Sequence, residues 1–305
     1  METVMRNLFL FLSKNKTMTK MAKEHGLKFG ASRFVAGTTI EEASKKIARL
    51  NDEGLCATVD FLGEFVNCEK EAKAATDESV HAIETIAKNG LDSELSVKMT
   101  SLGLDISDDV VFANMRRILD AGKKHDVTIT IDMEDESRCE KTLEIFKTLR
   151  KEYDNVGTVL QAYLYRTLGD LQILNEYNPY LRLVKGAYKE SDEVAFADKE
   201  DVDENYRHLI KLNLLYGNYT AIATHDDSMI RYVKKLEKEH NLDRKQFEFQ
   251  MLYGIRNDFQ KQLADEGYRV RVYIPYGQDW YGYNMRRLAE RPANVLFVLK
   301  GIMKK

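Results

Sequence analysis

Residues 281–291 read YGYNMRRLAER, and they pose a chemical question. On a helix, residues three and four apart share a face. Tyr283, Arg286, Arg287 and Glu290 would stand together, with Tyr281, Met285 and Leu288 as an apolar stripe nearly opposite. Two readings stay open on these residues alone. The charged face could lie in solvent, with Glu290 pairing to either arginine for about 0.2–0.5 kcal/mol. It could equally be a fork of positive charge that holds a carboxylate or a phosphate.

Other candidates for chemistry lie inside or at the ends of runs rich in β-branched residues. They are Lys98, Asp132 and Glu134 around Met133, Gln161, Arg182 and Lys185, then Thr224, His225 and Asp226, Gln250, and Tyr273. Charges in such runs are costly unless paired. Each is therefore half of a buried pair or part of a site. Lys98 and Asp132 on separate runs, with Arg182 and Lys185 on a third, favour a shared site. Gly186 lacks a Cβ, so it either lets a flat ring or a phosphate approach the backbone or simply makes a turn. The run His225–Asp226–Asp227 invites a metal, but no H-x-H pair or second cluster supports one, and no metal is expected. A Schiff-base lysine of an aldolase-like barrel, Lys98 or Lys185, is a rival chemistry.

The elements that must position these residues repeat from residue 55 onward. Candidate strands occupy 55–63, 94–102, 127–135, 157–165, 181–188, 220–226, 247–254 and 268–277. Each is rich in Val, Ile, Thr or aromatics and bounded by turn residues. Helix signals fill the gaps: a capping box at SRCE, with Ser137 as N-cap and Glu140 reaching back, and Thr167, Ser107 and Asn67 as N-caps. Some eight βα units in series predict an α/β protein, a closed (β/α)8 TIM-type barrel, with chemistry at the carboxyl ends of the strands. An open doubly wound sheet is disfavoured because no G-x-G-x-x-G turn follows a strand. The acidic segment 189–206 is the longest insertion and is expected to cover part of the mouth. Residues 1–54 are expected to form extra N-terminal helices outside the repeat, and 55–305 the catalytic barrel.

The chain has 305 residues, 44% of them hydrophobic, which is ample for a large core. A net charge of -3 gives no electrostatic footprint for nucleic acid. Three widely spaced cysteines with no C-x-x-C pair argue against a disulfide framework or a zinc knuckle and fit a reducing cytoplasm. No apolar stretch is long enough to span a membrane.

The segments LRLVKGAY (181–188), ATHD (223–226), and RVYIPYG (271–277) followed by YGYNMRRLAER resemble the proline dehydrogenases, flavoenzymes that begin proline catabolism. SVKMTSLG and TIDMED resemble the corresponding barrel segments, and the likeness runs from about residue 55 to 300. It implies a distorted (β/α)8 barrel whose last helix sits over the mouth. It implies oxidation of L-proline to 1-pyrroline-5-carboxylate with hydride passing to FAD, then electrons to membrane quinone. Arg286 and Arg287 would clamp the proline carboxylate with Lys98, and Glu290 would hold the arginines. Tyr283 and Tyr273 would line the ring pocket. Arg182 would sit near the flavin N5, with Asp132 balancing the cations. Lys185, Gly186 and Ala187 would run along the cofactor, Gln161 and Met133 would meet its ring, and Thr224 and His225 would hold the remainder. The resemblance implies a single-function enzyme working beside a separate pyrroline-5-carboxylate dehydrogenase, cytoplasmic or peripheral at the inner face of the membrane. A different flavin barrel, such as a folate reductase accepting NADH, is a further alternative.

Overall fold

The computed structural model describes residues 34–283 and 285. Within them the eight β-branched runs become eight parallel strands closed in chain order: β1 (Cys56–Phe61), β2 (Ser93–Val97), β3 (Ile129–Ile131), β4 (Val156–Gln161), β5 (Tyr180–Val184), β6 (Thr220–Ala223), β7 (Phe247–Leu252) and β8 (Val270–Tyr276). Closure comes from β8 pairing along β1, from Cys56 opposite Arg271 to Phe61 opposite Tyr276. Among the described residues eight bounded helices accompany them: α1 (Ile40–Asp52), α2 (Glu69–Lys88), α3 (Asp108–His125), α4 (Glu136–Arg150), α5 (Thr167–Leu174), α6 (Lys199–Leu215), α7 (Asp227–His240) and α8 (Asn257–Asp265), and residues 280–283 and 285 are also helical.

Alternation along each strand decides what lies where. One set is apolar and buried, including Ala57, Val59, Leu95, Ile129, Ile131, Leu181, Leu183, Phe249, Met251, Val270 and Val272. It belongs to the core shared with helix residues such as Ile83, Met115, Phe146 and Leu209. The other set is polar: Thr58, Asp60, Glu94, Ser96, Arg182, Glu248, Gln250 and Arg271. Bonds such as Arg182 to Asp132, or Tyr180 to Glu94, join strands that are not neighbours, so they cross the barrel interior. Barrels of this type usually fill that space with branched apolar layers. Here charge fills much of it.

The chain before β1 is built onto the body. Thr39 caps α1 by accepting from the Glu42 N–H, and Ile40, Ala43 and Ile47 are buried. Just upstream, the Ala36 N–H bonds to the Pro275 carbonyl at 2.8 Å, and the Gly277 N–H to the Gly37 carbonyl at 3.0 Å. Residues 1–33, and the expected helix there, lie outside the described residues.

Several local expectations are corrected. The strands are shorter than the runs, chiefly at their carboxyl ends, where the chain leaves the sheet as site-forming loops. Ser107 caps α3 as expected. The SRCE capping box does not form: α4 starts at Glu136 behind Asp135, and the Glu136 N–H is satisfied by Glu190 at 3.0 Å. Thr167 is the first residue of α5, its hydroxyl donating to the Gln161 carbonyl at 2.5 Å. Asn67 precedes the cap position, held by Cys68, and its N–H bonds to Glu71. The acidic insertion ends early, because from Lys199 it is already helix α6. The cysteines Cys56, Cys68 and Cys139 are free. Among the described residues no helix is long and apolar enough to cross a membrane.

Candidate active site

Asp132 follows β3 directly and acts as a hub. Its Oδ1 accepts from Arg182 Nη1 at 2.6 Å and from the Ser96 hydroxyl at 3.3 Å. Its Oδ2 accepts from the Tyr273 hydroxyl at 2.7 Å and from Lys98 Nζ at 3.4 Å. Lys98 itself bonds more closely to Asp60 of β1, at 2.7 Å. Five strands thus converge on one polar cluster, with β3 supplying the hub.

Electrostatics fix the charge states around the hub. Burial opposes the Lys98 ammonium, yet Asp60 and Asp132 hold its pKa well above the ordinary lysine value. Burial also pushes the Tyr273 phenol well up, with Asp132 and Asp60 adding to it, so Tyr273 remains a donor. Asp60 is raised by burial and by Asp132, against the pull of Lys98. A Schiff base needs a neutral amine. Lys98 is held charged, and Lys185 is held between Asp203 at 2.5 Å and Asp226 at 2.8 Å. Neither is set up as a nucleophile.

Arg182 has one nitrogen left without a partner among the described residues. Its Nε donates to Gln250 Oε1 at 2.6 Å and its Nη1 to Asp132 and Ser96. Its Nη2 is buried and finds no hydrogen-bond partner among the described residues. An unmatched buried donor costs about 1–3 kcal/mol. Such a donor fits an acceptor brought from outside the chain, which is what the ring of a flavin offers.

The remaining candidates sit along the same rim. Gln161 ends β4 and donates to the Glu134 carbonyl at 2.8 Å. Met133 is buried beside the hub, and Ala187 is exposed. Gly186 has φ +117, and a Cβ there would meet the Tyr163 ring at 2.1 Å. The flat ring that Gly186 admits in the described structure is therefore that of Tyr163. Thr224 accepts from the Asp226 N–H at 3.0 Å, fixing the turn into α7. His225 Nε2 accepts from the Leu252 N–H at 3.0 Å, which requires that nitrogen to be unprotonated. Among the described residues no cluster of His, Cys, Asp or Glu could hold a metal.

The structure thus brings Lys98, Asp132, Arg182 and Tyr273 together and sets Lys185 and Thr224 beside Asp226. Tyr283 is buried with Phe34, Val35, Leu62, Trp280 and Tyr281, and Met285 packs against that group. The expected apolar stripe is present at Tyr281 and Met285, but Tyr283 joins the same cluster. Arg286, Arg287 and Glu290 lie outside the described residues. Asp60 and Ser96 belong to the hub and were not anticipated from the sequence. The one available signal was an aspartate inside ATVDF, a costly place for a charge without a partner.

A closed parallel barrel with a polar cluster at the carboxyl ends of its strands has the layout of a (β/α)8 enzyme, and the unmatched guanidinium suits it to a bound cofactor. Comparison with known proteins gives the family. The model for proline dehydrogenase matches residues 43–300. Proline dehydrogenase 1 of Bacillus subtilis subsp. natto is 57% identical over 302 residues, covering 99% of this chain and 100% of that protein. The proline dehydrogenase of Deinococcus radiodurans is 47% identical over 279 residues, covering 90% of each. Among solved structures, proline utilization A from Bdellovibrio bacteriovorus inactivated by N-propargylglycine superposes with a TM-score of 0.83 at 26% identity. It covers 94% of this chain, which spans 36% of that longer one. The chain belongs to the proline dehydrogenase family.

Proposed function

We propose that the barrel oxidises L-proline at the carbon next to nitrogen, giving 1-pyrroline-5-carboxylate as the first step of proline breakdown to glutamate. The chain is an oxidoreductase acting on proline, and FAD is its cofactor. The observation that carries the reading is the buried Arg182 Nη2, without a hydrogen-bond partner among the described residues, on a guanidinium already tied down at Nε and Nη1.

When bound, FAD supplies the two-electron acceptor for the hydrogen that leaves proline as hydride. The chain's own residues bind, orient and balance charge. Arg182 offers Nη2 to the cofactor, and Asp132 neutralises Arg182 and Lys98 while accepting from Tyr273. Gln161 and Met133 meet the cofactor ring, Lys185, Gly186 and Ala187 run along it, and Thr224 and His225 hold the remainder. Lys98 has two of its three donors engaged by Asp60 and Asp132, and the third, with Arg286 and Arg287, takes the proline carboxylate. Glu290 steadies the two arginines. Tyr273 and Tyr283 line the ring pocket, and Tyr283 favours proline over its 4-hydroxyl relative. No residue need act as a base, because a free amine can reach the site already deprotonated.

In this reading residues 55–305 are the catalytic barrel and 1–54 an N-terminal segment whose α1 packs against it. Electrons leave to membrane quinone, so the protein works in the cytoplasm or at the inner face of the membrane. A separate pyrroline-5-carboxylate dehydrogenase consumes the product. The test is the visible spectrum of the purified protein under anaerobic conditions. Addition of L-proline should bleach an oxidised flavin band; a band indifferent to proline, or no flavin after FAD is added, would overturn the reading.

A further inference from the structure

Below the hub, the barrel interior holds a second charged cluster to which the proposed function gives no binding role. Arg271 of β8 uses every nitrogen: Nε to Glu248 Oε1 at 2.7 Å, Nη2 to Glu94 at 3.1 Å, and Nη1 to the Ala57 carbonyl at 2.7 Å. Glu248 Oε2 accepts from the Tyr219 hydroxyl at 2.9 Å and lies 3.1 Å from Arg269. Its Oε1 also lies 3.1 Å from the Tyr180 hydroxyl, which reaches Glu94 at 3.2 Å. Burial works against the Glu248 charge, but Arg271 and these bonds keep its pKa below the ordinary glutamate value.

One residue joins this floor to the active site. Gln250 stands two positions beyond Glu248 on β7, on the same face of the strand. Its Nε2 donates to Glu248 Oε1 at 2.6 Å and lies 3.4 Å from the Tyr180 hydroxyl. Its Oε1 accepts from Arg182 Nε at 2.6 Å. An ionised carboxylate only accepts hydrogen bonds, so the amide nitrogen must face Glu248 and the amide oxygen must face Arg182. A flipped amide would set oxygen against carboxylate and N–H against N–H. The floor therefore dictates the sense of the amide, and the amide fixes one edge of the guanidinium.

We propose that Gln250 is a positioning residue: keyed by the Arg271–Glu248 pair, it sets the rotation of Arg182 and so aims Nη2 at the cofactor. The inference rests on the reading above in which Arg182 faces FAD. Gln250 touches neither substrate nor cofactor; it acts through Arg182. Removing its oxygen frees the Nε edge, and among the described residues the guanidinium then keeps its Nη1 bonds and the Tyr273 ring 5.3 Å away.

The experiment compares wild type with Gln250→Leu by thermal melting, FAD titration, flavin midpoint potential and steady-state kinetics. The expected result is a folded, FAD-binding variant with a lower midpoint potential, because less positive charge is held against the reduced cofactor. Its kcat should fall about 10- to 100-fold, the scale set by small misplacements of an aligning group, while KM for proline stays near wild type. A folded variant with wild-type potential and kcat, or a change confined to KM, overturns the proposal. Should Gln250→Leu fail to fold, Gln250→Glu decides the matter. Its acid form still accepts from Arg182 and donates to Glu248, so potential and kcat should stay near wild type at low pH and drop as the new carboxyl ionises. A pH profile that matches wild type throughout overturns the proposal. Wild-type bleaching by proline is the control. Its failure would strike the flavin reading itself, whereas intact wild-type bleaching beside an unaltered variant removes only the role of Gln250.

Discussion

Lys98 Nζ lies 2.7 Å from Asp60 but 3.4 Å from Asp132, so the lysine leans on the aspartate inside ATVDF rather than on the hub. This leaves Asp132 chiefly to Arg182 and Tyr273. In the proposed function its task is to balance and orient cations. Asp132→Asn should therefore lower turnover and destabilise the fold by about 3–5 kcal/mol, the cost of removing one partner from a buried ion pair. The limbs of the pH–rate profile should not move. Urea unfolding and a pH series check both points; a lost ionisation limb would make Asp132 an acid–base catalyst instead.

Arg286 and Arg287 are assigned to the substrate carboxylate. Truncating one arm of a desolvated charge pair costs about 2–5 kcal/mol. Arg286→Ala and Arg287→Ala should each raise the half-saturating proline concentration tens-fold or more, with a smaller effect on FAD affinity. Mild changes in both would return these residues to a solvated helix face.

Gly186 combines a left-handed backbone, φ +117, with the Tyr163 ring at its Cβ position. Gly186→Ala should cost about 2–5 kcal/mol from backbone strain and overpacking together. Tyr163→Ala in the same chain should relieve the overpacking share and leave the strain. Denaturant midpoints of the two single variants and the double variant measure the split. Strict additivity would mean that the ring does not limit position 186.

Glu94 carries a pH signature. Burial in the barrel floor, with Glu248 adding repulsion and Arg271 opposing, pushes its carboxyl up to about 7. A folded-state pKa above the unfolded one means that the folded chain binds the extra proton between about 4.5 and 7. Stability from this group is complete below that window and declines as pH rises through it, by at most about 1.4 kcal/mol per pH unit. Asp226, whose carboxyl is depressed with Lys185 and Ser228 as partners against the effect of burial, acts only at lower pH. Melting of wild type minus Glu94→Gln, followed across pH 4.5 to 7, should show this slope. A flat difference would place the proton elsewhere.

The barrel was legible because its signal is local: eight β-branched runs, each bounded by turn residues, all matched strands. The polar candidates were legible for a related reason, since a charge inside such a run demands a partner. The identity of that partner is not local. Lys98 and Asp60 are 38 residues apart, and Arg182 and Gln250 are 68 apart. Only closure of the sheet places them together. The caps failed differently. Ser137 and Thr167 have side chains that suit a cap, but Glu190 supplies the acceptor at one helix start, and the Thr167 hydroxyl is spent on the Gln161 carbonyl at the other.

The Arg271–Ala57 bond spans 214 residues, and it has a consequence for the order of assembly. As the chain leaves the ribosome, Glu94 and Glu248 emerge before the arginine that neutralises them. Until β8 arrives, an open sheet of seven strands would have to keep both acids wet, and its two edges unpaired. Non-local closure of this kind slows folding and prolongs exposure to aggregation. A charged floor of this kind would oppose burial of a half-made barrel until the last strand brings its cation.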